Sequence, residues 1–94
     1  MNKDLRTDYQ ALYDFEKALR KYCDELLYDT KTLVRETDGV VGSVWAGDQA
    51  KLFKDLVDEN THAINKDVEE LLRLADVIHE AAMKLEQARA KNIL

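Results

Sequence analysis

The sequence predicts an all-α protein, an antiparallel two-helix hairpin expected to pair into a four-helix-bundle dimer. Three observations carry that expectation. The chain has no proline, and its three glycines, Gly39, Gly42 and Gly47, all fall in one segment near the middle. On both sides of that segment apolar residues recur every three or four positions, the period of a single helix face. One break between two periodic stretches folds one rod back along the other.

The 94 residues suffice for one domain, so residues 1–94 are expected to form a single helical-hairpin domain. With 35% charged and 46% apolar residues and no proline, the composition is that of long helices and coiled coils. The regular apolar spacing argues against disorder. The net charge is −5 and no basic run exceeds two residues. Nucleic acids and anionic membrane surfaces both require clustered Lys or Arg, so neither is expected as a partner. No stretch approaches the roughly 20 apolar residues of a membrane span, so no direct membrane insertion is expected. The N-terminus lacks the apolar run of a cleavable secretory signal, and any export is expected to use a route that reads no such signal. Cys23 stands alone, which excludes an intrachain disulfide. Its two readings are a small buried hydrophobe and an intermolecular or reactive thiol.

The first helix is expected over about residues 4–37. Leu5, Tyr9, Leu12, Leu19, Cys23, Leu26, Thr30 and Leu33 follow a 4-3-4-3 spacing, interrupted at Glu16 with Phe15 beside it. Phe15, Ala18, Tyr22, Leu27 and Val34 widen the stripe. The hinge follows over residues 39–47. Gly39 is a candidate for the left-handed residue that ends the first helix, and Ser43 a candidate N-cap for the second. Asp48 would then place a carboxylate at the positive end of that helix. The second helix is expected over about 47–91. Ile64, Val68, Leu71, Ala75, Ile78, Ala82 and Leu85 step 4-3 without a miss, and Ala46, Ala50, Phe53 and Val57 extend the face upstream. Asn60, Thr61 and His62 form a polar interval but hold no breaker, so the helix should continue through them.

A lone hairpin has no enclosed core, and chains this small add a staple or oligomerise. Phe15, Tyr22 and Val34 on the first helix, with Leu72, Leu74, Val77 and Ala81 on the second, supply a second apolar face. Phe15, Tyr22, Phe53, Leu71, Ile78 and Leu85 are the candidate interface residues. Both stripes are apolar, so the pattern leaves open which face closes the hairpin and which meets a partner.

No chemistry is expected. His62 and His79 lack the spacing of a helical zinc site, and Asp76-Val-Ile-His79 is one imperfect copy of an element that di-metal bundles use in pairs. No nucleophile motif or phosphate loop occurs, so neither enzymatic activity nor a metal or cofactor is expected. The candidate motif is instead Trp45-Ala46-Gly47 in the hinge. Trp45 could plug the open end of the hairpin, with Gly47 allowing close backbone approach. It could equally present its indole with Val40, Val41 and Val44 as a recognition surface.

Val44-Trp45-Ala46-Gly47-Asp48-Gln49-Ala50, with Phe53 eight residues after the tryptophan, Leu71-Leu72 and an alanine-rich end from Ala81, resembles the WXG superfamily. These are the small, early-secreted-antigen-like proteins of type VII secretion systems of Gram-positive bacteria and their relatives. The resemblance covers nearly the whole chain. It implies a four-helix-bundle dimer with itself or a paralogous hairpin, or with a larger toxin that has an N-terminal helical region. It also implies export by a secretion ATPase without a signal peptide, from a cytoplasmic pool. A cytoplasmic targeting partner is the alternative within the family, and a generic coiled-coil adaptor the alternative outside it. Members with an export signal carry a large apolar residue followed four positions later by an acid. Here Leu85 is followed by Arg89 at that spacing, so the chain is expected to be the signal-less half of a pair or a divergent member.

Overall fold

The computed structural model describes residues 7–93, with side chains through Lys91. Leu5 and the first residues of the stripe expected from residue 4 lie outside that range. Helix α1 spans Asp8–Val40 and helix α2 spans Asp48–Ile93. They lie antiparallel as a rod of 71 × 25 × 19 Å. No strand occurs among the described residues.

Thr7 starts α1 as its N-cap, its Oγ1 accepting the Gln10 N–H at 3.2 Å, which satisfies one of the four free donors of a helix start. The helix end differs from the expectation. Gly39 does not terminate α1 but lies inside it, and the helix continues to Val40. A helical glycine costs only about 1 kcal/mol, and the N–H of Val41 still finds the Thr37 carbonyl at 2.9 Å. The left-handed backbone falls instead at Gly42 (φ 95°) and Gly47 (φ 107°). Ser43 does not cap α2 either. Its hydroxyl turns back to donate to the Gly39 carbonyl at 2.8 Å, covering an acceptor that the end of α1 leaves open. The first turn of α2 closes with the Lys51 N–H on the Gly47 carbonyl, 3.1 Å, so Gly47 occupies the cap position. A Cβ at Gly47 would meet nothing within 4 Å. Its backbone angle, and not the close approach expected from the sequence, is what calls for glycine there.

The seam between the helices is built from small side chains. On α1 the buried residues are Cys23, Thr30 and Thr37, one every seven positions. On α2 they are Ala50 and Val57, then Thr61, Val68, Ala75 and Ala82. The step from Val57 to Val68 is eleven residues instead of seven, a four-residue stutter in the heptad pattern. The polar interval Asn60-Thr61-His62 falls there. Asn60 donates to the Leu56 carbonyl (2.8 Å) and Thr61 to the Asp58 carbonyl (3.1 Å). Backbone acceptors thus satisfy these polar groups without breaking the helix. Cys23 is fully buried as a free thiol in this seam.

Candidate interaction surfaces

Polar contacts identify which flank of the hairpin the two helices close with each other. Arg20 sits at its centre, donating Nε–H to Glu16 Oε2 (2.7 Å) and Nη2–H to Asp76 Oδ1 (2.8 Å). Glu16 also accepts from His79 Nδ1 at 2.8 Å. Tyr13 packs edge-on to the His79 ring, 5.6 Å between centroids, and donates its hydroxyl to Glu86 at 2.9 Å. Toward the hinge, Thr30 Oγ1 lies 3.3 Å from Asn65 Oδ1, and Lys54 bridges Asp38 (2.9 Å) and Asp58 (3.3 Å). At the open end, Arg89 binds the Asp8 carboxylate. Val34, expected on the outer face, lines a groove on this flank with Thr30, Thr61 and Asn65.

These contacts shift ionisation in the direction each partner favours. The Arg20 guanidinium, seconded by His79, holds the Glu16 carboxyl below its ordinary range. Arg89 does the same for Asp8, and Asp38 with Asp58 raises Lys54. The Glu86 carboxylate raises the Tyr13 phenol. Glu16, which interrupts the apolar stripe in the sequence, is thus the most enclosed charge of the ladder, its side chain 13% exposed. Nothing in its local sequence announces this, because His79 and Asp76 lie 63 and 56 positions away from their partners.

The opposite flank carries the large apolar side chains. Leu12, Leu19 and Leu26 on α1 and Ile64, Leu71, Ile78 and Leu85 on α2 are half-buried along the edge of the seam. Outside them Phe15 (58% exposed), Tyr22 (53%) and Leu74 (53%) stand open to solvent. All six candidate interface residues, Phe15, Tyr22, Phe53, Leu71, Ile78 and Leu85, fall on this flank by helical spacing.

At its hinge end the flank runs into a second apolar patch. The Val40 carbonyl accepts the N–H groups of Ser43, Val44 and Trp45 at 3.4, 3.0 and 3.0 Å, and the Gly42 N–H bonds the Trp45 carbonyl at 2.7 Å. This curl sets Trp45 against Phe53, ring centroids 5.5 Å apart at 50°. Trp45 remains 39% exposed and Val44 84%, so the indole is packed on one side and open on the other.

Leu85 is half-buried on the apolar flank, while Arg89 is turned to Asp8 on α1. Among the described residues no group of three or more His, Cys, Asp or Glu side chains is arranged to hold a metal ion. No described helix is long and apolar enough to cross a membrane.

The described residues thus form a two-helix hairpin with a Trp-x-Gly turn at its tip. The family model described as "Proteins of 100 residues with WXG" matches residues 4–89, and the chain belongs to this WXG100 family. Its members are small helical proteins secreted by type VII systems, and they typically pair with themselves or with paralogues. Comparison with curated proteins finds no match, and neither does comparison with solved structures.

Proposed function

We propose that this chain is a non-enzymatic pairing subunit of a type VII secretion system, which buries its apolar flank against a second helical hairpin and travels, or delivers cargo, as that complex. The observation that carries this reading is the flank itself. A contiguous two-helix surface of half-buried leucines and isoleucines edged by exposed aromatics is the sort of patch that marks an interaction site. Total accessible surface points the same way: 7434 Å² against about 5,500 Å² for a compact monomer of this mass. The excess exceeds the roughly 800 Å² per partner of a standard protein interface.

The Trp45 tip is the second functional surface in this reading, offered to the secretion ATPase or to a cargo protein. With Arg89 where an acid would stand, export depends on a signal carried by the partner. The test is sedimentation of the purified chain, alone and with the products of neighbouring genes. Pairing is expected, and Leu74→Glu in the open row of the flank should abolish it with helicity unchanged. A chain that stays monomeric with every neighbour overturns the reading. Trp45→Ala separates the two roles of the indole. Lost secretion at an unchanged melting temperature assigns recognition, whereas a collapsed melting temperature assigns packing.

A further inference from the structure

The reading that the apolar flank pairs leaves the identity of its partner open, and the charges bordering the flank address it. Seven-residue steps along the outer edge of α1 give Phe15, Tyr22, Asp29 and Glu36, and along α2 give Phe53, Asn60, Asp67, Leu74 and Ala81. The rows that would meet a partner are therefore apolar toward the open end and acidic across the waist. The cross-helix pairs Arg20–Asp76 and Thr30–Asn65 set the register, and that register puts Asp29 level with Asp67. Both are exposed, and neither takes part in an ion pair among the described residues.

The cations are sorted the other way. Arg20, Lys54 and Arg89 are engaged on the closed flank. Beside the outer rows heptad spacing puts Lys84 and Lys91, both toward the open end. Lys84, the nearer, is 17 residues from Asp67, about 25 Å along the helix. A self-paired dimer would thus take the waist carboxylates of both copies out of water with no cation to receive them. Slipping the copies until Lys84 reached them would uncover Val40 and Phe53 at the hinge end. Buried charges without partners disfavour association strongly, and an arrangement that penalises the wrong partner is how paired helices select the right one.

We infer that the partner of this flank is a non-identical helical hairpin that presents Lys or Arg opposite Asp29 and Asp67. The inference rests on the reading that the flank pairs, and sedimentation velocity can test the two separately. At neutral pH the wild-type chain alone should associate weakly. The Asp29→Asn/Asp67→Asn variant should self-associate about tenfold or more tightly than wild type. An Asp29→Lys/Asp67→Lys copy, used as a basic-flanked probe, should prefer the wild-type chain over itself by a similar factor. Circular dichroism reports whether each variant keeps its helices. A wild-type self-dimer as tight as the asparagine variant, with no preference for the lysine probe, overturns the inference. If Leu74→Glu abolishes that self-dimer, the flank still pairs and only the choice of partner is wrong. If the self-dimer survives Leu74→Glu, pairing occurs elsewhere and both readings fall.

Discussion

Gly39, Gly42 and Gly47 look alike in the sequence and have different physical roles. Gly42 and Gly47 hold positive φ, a region that costs an L-residue roughly 1–2 kcal/mol. Gly39 is helical and a Cβ there would meet nothing within 4 Å. Gly47→Ala is therefore expected to lower the thermal midpoint by several degrees. Gly39→Ala should leave it unchanged or raise it slightly, since alanine is the better helix former. Glu16 makes a prediction in pH. In the folded state Arg20 and, after it, His79 favour its charged form and hold its pKa below the ordinary glutamate range. The stability it contributes is therefore complete above the unfolded glutamate value of about 4.3. As pH falls below that value this contribution fades, and it is gone once pH passes the lower folded value. Acid titration of the melting temperature should show this loss, and Glu16→Gln should flatten that part of the curve.

Between elements, the small-residue seam separates what was legible in the sequence from what was not. Helix periodicity, with the glycines confined to one segment, suffices to read two helices and a fold-back. The closed flank is not legible, because both stripes are apolar. The contacts that decide it join residues as far apart as Asp8 and Arg89. Nor could the pattern tell that the closest positions would be Cys, Thr, Ala and Val, with the bulky residues displaced to one side. That arrangement predicts opposite responses on neighbouring residues of α2. Ala75 is fully buried, so Ala75→Leu should push the helices apart and cost about 1–3 kcal/mol in chemical denaturation. Leu74→Ala, one position along on the open row, should leave that stability nearly unchanged. The Arg89–Asp8 pair is exposed on both sides, so Arg89→Ala should move the midpoint little. Arg89, read from sequence only as a missing acid, acts here in joining the two helix ends.

At the scale of the whole molecule the hairpin is a rod, with a radius of gyration of 20.8 Å against about 12 Å for a compact chain of its length. Side-by-side pairing through the apolar flank should thicken it while leaving the 71 Å length nearly constant in solution scattering. End-to-end association would lengthen it instead. The single hinge also imposes an order in time. Lys54 and Asp38 are 16 residues apart in the chain, Arg20 and Asp76 are 56, and Arg89 and Asp8 are 81. Bringing chain ends together costs more entropy as the loop lengthens, by about 1.4 kcal/mol between the first of these and the last. Folding is therefore cheapest to begin beside Trp45 and to zip outward, and opening runs the other way. Amide exchange should slow steadily from the termini toward the turn, so that the end bearing the tryptophan is the last part of the rod to come apart.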